Sequence, residues 1–201
     1  MTILHLSDTH GQHRKLTELP QADIAVHSGD FTFAGSEEEA YDFIEWFCDL
    51  PCRHKLFISG NHDMCMYGAG SIEGLPEDVH YLCNSGIELE GVSFFGVPMF
   101  MEDVRAGRLT KMVAGIPADT QILITHQPPF GIGDVWNGRH CGSKELQKKA
   151  EGLPLLKCHL FGHQHNAHSI SICGSTTYSN AAVLDNRYHL VAQPPVIEIN
   201  I

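Results

Sequence analysis

The chain has 201 residues, is 43% hydrophobic and carries a formal net charge of −11 with histidine counted as neutral. That length supports one compact domain with a substantial core and is short for two, so a single domain over residues 1–201 is expected. Such acidity gives no help in gripping long duplex nucleic acid, and stable nucleic-acid binding is not expected; a small phosphate compound can still be held where local cations reverse the field.

Histidine is over-used at 14 residues, a compositional hint of metal chemistry. The seven cysteines are odd in number and contain no Cys-x-x-Cys pair. They read as small buried thiols in a reducing cytoplasm rather than as a zinc ribbon or a disulfide framework. The first residues enter a strand-like run without a basic leader or a cleavage site, and no apolar span is long enough to cross a membrane. A cytoplasmic protein without membrane attachment is therefore expected.

In chain order, apolar runs fall at 3–6 and 24–27. A helix follows from Ser36 to about Leu50. Ser36 with Glu39 forms a capping-box pattern, Ala40, Phe43, Ile44 and Phe47 recur on one face, and Pro51 closes the segment. Further runs lie at 55–59 and 92–97, and residues 99–118 fit either a helix or an excursion over a site. A run at 121–125 precedes a second helix from Ser143 to about Glu151, with Gly152 as its stop. The last runs are 158–161, 169–173 and 196–201. Short buried strands alternating with helices give an α/β architecture.

Five of these runs end in polar residues with metal-binding side chains. They deliver Asp8 and His10, then Asp30, then Asn61, His62 and Asp63, then His126, and finally His163 and His165. Ligands of open α/β sheets bind outside the carboxyl ends of the strands, so these residues converge on one rim. Gly29, Gly60 and Gly162 each precede a polar residue and permit close backbone approach. Every donor is oxygen or nitrogen, which suits Mn, Fe, Zn, Co or Ni. Seven ligands exceed one tetrahedral site. They suit two ions sharing a carboxylate, an arrangement that clamps both oxygens of a phosphoryl displacement.

The motifs "DTH" (8–10), "GD" (29–30), "GNHD" (60–63), "TH" (125–126) and "GHQH" (162–165) resemble, in order and spacing, those of the calcineurin-like metallophosphoesterases. The stretches "SDTHG", "GDFT", "HQPPFGIGD" and "FGHQH" look most like its small metallophosphoesterase-domain phosphodiesterases. The resemblance implies a two-sheet mixed β-sandwich flanked by helices. It implies that Asp8, His10 and His165 hold one divalent or trivalent ion, that Asn61, His126 and His163 hold another, and that Asp30 bridges them. A hydroxide between the ions would attack phosphorus in line, with His62 beside the leaving oxygen.

One departure is visible. Many members, the protein phosphatases especially, read G-D-x-x-D-R-G at the second motif, whereas this chain reads "GDFTFAG", with Phe33 at the second acidic position. The carboxylate that would orient His62 is missing, and adjacent Asp63 is poorly placed to replace it on an extended chain. The arginine is missing as well, so phosphoprotein is not the expected substrate. A small phosphodiester is, cyclic nucleotides included.

Around the rim, Trp136 is expected to stack a base, Arg139 to pair with phosphate, and His13 to touch substrate. His5, His27, His54, His80, His159 and His189 are expected to be structural or exposed, and Asn180 to steady the rim through backbone hydrogen bonds. The alternatives are a phosphomonoesterase, a nuclease, for which the chain is short and acidic, or a scaffold that has lost catalysis. The last is disfavoured because all seven ligands and His62 are present.

Overall fold

The computed structural model describes residues 1–200. Ile201, the end of the predicted run 196–201, lies outside them. The chain order is β1 (Thr2–Leu6), β2 (Ile24–His27), α1 (Glu37–Cys48), β3 (His54–Phe57), β4 (Val79–Tyr81), β5 (Ser85–Leu89) and β6 (Val92–Val97). Then come α2 (Met101–Arg105), α3 (Leu109–Ala114), β7 (Ile122–Thr125), β8 (Val135–Trp136), β9 (Arg139–His140), α4 (Lys144–Glu151) and β10 (Cys158–Phe161). The chain closes with β11 (Ser169–Cys173), β12 (Thr176–Asn180) and β13 (Val196–Glu198).

Two mixed sheets result. One has the order β13-β1-β2-β3-β4, the other β11-β12-β10-β7-β6-β5, and β8 with β9 forms a separate hairpin. In the first sheet β1 to β4 are parallel and only β13 runs against them. In the second, β6, β7, β10 and β12 are parallel, with β5 and β11 antiparallel at the edges. Alternation along the strands sorts the core. Ile3, Ile24, Val26 and Leu56 face Phe94, Ile122, Ile124 and Leu160 between the sheets. Leu4, Ala25 and Phe57 point outward onto Phe43 and Phe47 of α1. Phe95, Leu123 and Phe161 point outward onto Val113 of α3 and Leu146 and Ala150 of α4. The result is a two-sheet sandwich flanked by helices, as the motifs imply.

The caps act as the sequence indicates. Ser36 Oγ accepts from Glu39 N–H (3.2 Å) and Glu39 Oε2 accepts from Ser36 N–H (3.2 Å), completing the capping box. α1 stops at Cys48 rather than Leu50, because Pro51 disfavours helical geometry in the residue before it. Residues 99–118 form two short helices broken at Gly107, whose φ is +68°. Five strands carry no clear sequence signal, among them the two-residue β8 and β9. β4 is three residues long, β5 ("SGIEL") is half-exposed, and β12 ("TTYSN") is polar. All seven cysteines are free thiols. Among the described residues, no helix is long and apolar enough to cross a membrane.

Candidate metal centre

The carboxyl ends of β1, β2 and β3 from one sheet meet those of β7 and β10 from the other. The loops leaving these strands are stitched together. Asp8 N–H donates to Gly29 O (3.0 Å), His10 N–H to Asp30 O (3.0 Å) and Gly162 N–H to His126 O (3.1 Å). His163 N–H donates to the Asp8 carboxylate (2.9 Å), which ties the two sheets together at the rim. Two glycines make the approach possible. A Cβ on Gly162 would collide with Ser7 Oγ and Asp8 Oδ2, and one on Gly60 with Asp30 and His126.

Four of the seven candidate ligands have left-handed backbone: Asp8 (φ +55°), His10 (+41°), Asp30 (+56°) and His163 (+68°). Non-glycine residues avoid this region, and clusters of such strain mark sites where position matters more than comfort. Asp63, fully buried, holds the strained segment. Its carboxylate accepts from Asp30 N–H (2.8 Å), Gly60 N–H (2.8 Å), Thr32 N–H (2.9 Å) and the Thr32 hydroxyl (2.8 Å).

Three groups bring ligand atoms within 4.8 Å of one another: Asp8, His10 and His165; His10, Asp30 and His62; Asp30, His126 and His163. Asp30 belongs to two of them. The tautomers reveal what the centre lacks. His10 Nδ1–H donates to Thr32 O (3.0 Å) and His165 Nδ1–H to Asp185 O (3.0 Å), so both Nε2 atoms carry lone pairs; these atoms lie 3.1 Å apart. His126 Nδ1–H donates to Ser28 O (2.9 Å), which turns its Nε2 lone pair on Asn61 Oδ1 (3.1 Å) and Asp30 Oδ2 (3.3 Å). Lone pairs facing lone pairs, in a buried site of oxygen and nitrogen donors, fit bound cations.

Against the pull of burial, the Asp30 carboxylate pushes His126 up to about 9. Against burial in turn, the Asp8 carboxyl is held far below the usual range, chiefly by its hydrogen bond with His165 and by the His126 charge. His163 falls to about 4 through burial and the neighbouring His126.

His62 lines the cleft. Its Nδ1–H donates to the carbonyl of Phe33 (2.8 Å), and its backbone N–H to Asp30 Oδ1 (2.8 Å). The imidazole is thus oriented by a main-chain carbonyl at the position where the carboxylate is missing, while Asp63 faces the backbone beneath the site.

The cleft has a volume of about 450 Å³ and is lined by Asp30, Asn61, His62, Trp136, Asn137, His163, Gln164, His165, Asn186 and Tyr188. Trp136 reaches it. Arg139, expected at the phosphate, is not among the lining residues: β8 packs against the 165–167 turn, while Arg139 in β9 is exposed. His13, expected at the substrate, lies in a short 3-10 turn beneath α1. It is fully buried against Phe43 and Trp46, with Nε2 2.9 Å from Asp42 Oδ2. Asn180 braces the rim, its amide donating to Gly133 O (2.8 Å) and Gln164 O (3.1 Å). Gln164, Asn186 and Tyr188 escaped the sequence reading. Gln164 stands between two histidines of a motif, a signal of proximity; the other two sit in an irregular segment without one.

The calcineurin-like phosphoesterase family model matches residues 1–167, the span that carries every candidate ligand. The chain belongs to the calcineurin-like phosphoesterases. As a member it is a metal-dependent phosphoester hydrolase. It is 32% identical to a UPF0046 protein of Caenorhabditis elegans, over 99% of this chain and 75% of the relative. It is 30% identical to human metallophosphoesterase domain-containing protein 1, over 96% of this chain and 69% of the relative. A solved crystal structure superposes with a TM-score of 0.64 at 15% identity, covering 89% of each chain, a likeness of fold alone.

Proposed function

We propose that this phosphoesterase uses two metal ions to hydrolyse small phosphodiesters, cyclic nucleotides among them. The observation that carries the reading is Asp30, a buried carboxylate shared between two ligand groups. Asp8, His10 and His165 would hold one ion, Asn61, His126 and His163 the other, and Asp30 both. When bound, the ions supply a water of lowered pKa and a counter-charge for the phosphate.

The chain's own residues do the rest. Thr32, Ser28 and Asp185 carbonyls fix the tautomers of His10, His126 and His165, so each presents a basic Nε2. His62, tied through Nδ1, turns Nε2 toward the cleft and, as imidazolium, can pass a proton to the leaving oxygen. No lysine or arginine lines the cleft. A monoester dianion would meet no lysine or arginine for its second charge, whereas a diester carries one charge only. That balance favours the diester. The seven free thiols fit a reducing compartment such as the cytoplasm.

The test is hydrolysis of bis(p-nitrophenyl) phosphate and p-nitrophenyl phosphate by protein reloaded singly with Mn, Fe, Zn, Co or Ni, then of 2′,3′- and 3′,5′-cyclic nucleotides. Diester turnover that EDTA abolishes, with the higher kcat/KM on the diester, is expected. A fully metallated protein inert on all substrates, or faster on the monoester, overturns the proposal.

A further inference from the structure

Glu39 sits in the first turn of α1, where its Oε2 closes the capping box with Ser36. The same carboxylate reaches a second structure. Oε1 accepts from Phe33 N–H (3.0 Å) and Oε2 from Ala34 N–H (2.9 Å). Both residues are exposed, and their amides have no other anchor among the hydrogen bonds of the described residues.

The geometry of one peptide group links this anchor to the cleft. The Ala34 N–H and the Phe33 C=O belong to a single planar trans unit and point in opposite directions. Holding the N–H on Glu39 therefore aims the C=O away from α1, and that carbonyl accepts from His62 Nδ1–H at 2.8 Å. The preceding residue has a second anchor. Thr32 N–H and its hydroxyl rest on Asp63, and the Thr32 carbonyl accepts from His10. Two adjacent carbonyls thus orient two imidazoles, both from peptide units whose N–H rests on Glu39, and the Thr32 carbonyl has the Asp63 anchor of its residue besides.

We propose that Glu39 is the positioning residue for His62, fixing through the 33–34 peptide both the tautomer of the imidazole and its direction into the cleft. This rests on the reading of His62 as the acid at the leaving oxygen. Loss of Glu39 frees the Phe33 N–H as well, but Thr32 keeps its N–H and hydroxyl on Asp63, so the effect falls chiefly on His62 and less on His10. A misdirected proton donor slows chemistry without weakening ground-state binding.

The experiment compares Glu39→Ala, Glu39→Gln, Ser36→Ala, His62→Ala and the Glu39→Ala/His62→Ala double variant, all metal-loaded, on a 2′,3′-cyclic nucleotide, whose alkoxide leaving oxygen needs a proton. Glu39→Ala should lower kcat about tenfold with KM within about twofold, and bound metal per chain should not change. Glu39→Gln, which keeps one acceptor oxygen, should fall between. Ser36→Ala breaks the helix cap but not the 33–34 bonds, so it should lower Tm and spare kcat. In the His62→Ala background, Glu39→Ala should have no further effect on kcat. Imidazole 15N shifts of the metal-free protein should show His62 as the Nδ1–H tautomer, and a mixture in Glu39→Ala. An equal kcat loss in Ser36→Ala, an additive loss in the double variant, or an unchanged tautomer overturns the inference. A His62→Ala variant with full kcat would overturn the acid role instead, and the ring shifts would still decide whether Glu39 positions the imidazole.

Discussion

His159 makes the protein sensitive to mild acid, and its share can be worked out. The ring lies on the outer face of the second sheet, fully buried between Phe161 (5.1 Å) and Tyr178 (5.8 Å). Thr125 donates its hydroxyl to Gln127 O (2.7 Å), so His159 Nε2–H must be the donor to Thr125 Oγ1 (2.9 Å). Nδ1 is then an unprotonated acceptor without a partner, and a proton there would bury a charge against two aromatic rings. Burial accordingly drives His159 from 6.5 to about 3. The unfolded chain takes up this proton below 6.5 while the folded chain refuses it until about 3, so stability falls as pH falls through that window. At pH 5 the gap is about 1.5 units, or about 2 kcal/mol. That is a large share of a total of about 5–15 kcal/mol. The assay is urea unfolding of EDTA-treated wild type and His159→Leu at pH 7.5 and pH 5.0. Other titrating groups cancel in the comparison. The wild-type advantage over the leucine variant should shrink by about 2 kcal/mol between the two pH values. A difference independent of pH would show that His159 is not held neutral, and the reasoning would fail.

Two further outcomes follow from the cleft. Asn180→Ala orphans the Ala182 N–H and the carbonyls of Gly133 and Gln164, which should cost about 2–4 kcal/mol; a thermal melt displaced by less than about 2 °C would contradict this for a domain of this size. Trp136→Ala should raise KM for a cyclic nucleotide about tenfold, the usual scale of base stacking, while metal content by elemental analysis stays constant; unchanged nucleotide KM would remove the ring from the substrate wall.

Much of the centre was legible because strand ends and ligands coincide in sequence. Asp8, His10, Asp30, Asn61, His126, His163 and His165 each follow an apolar run within a few residues, and parallel strands must deliver such residues to one edge. The parts that escaped lack that coupling. His13 stands three residues after His10, yet the 3-10 turn swings it beneath α1, so nearness along the chain misled. Arg139 stands three residues after Trp136, yet it is exposed outside the cleft lining. Tyr188, with φ +61°, packs edge-on to His10 (5.0 Å) and Phe33 (5.1 Å) from a segment with neither helical nor strand period. The orientation of His62 was hidden for another reason. A main-chain carbonyl serves there, and no side-chain pattern can announce it.

The strain and the electrostatics of the centre point the same way. Four left-handed residues cost about 1–3 kcal/mol each, and the buried Asp30 carboxylate pushes His126 up to about 9 against the pull of burial. A fold marginal by about 5–15 kcal/mol tolerates this because the sandwich core and the Asp63 clasp hold the loops from below. Relaxing the site would mean separating the two sheets at their shared rim, since the His163 N–H to Asp8 bond spans them. Ligand binding to the native state alone stabilises it by mass action, so bound metal would also strengthen the junction of the two sheets at this rim.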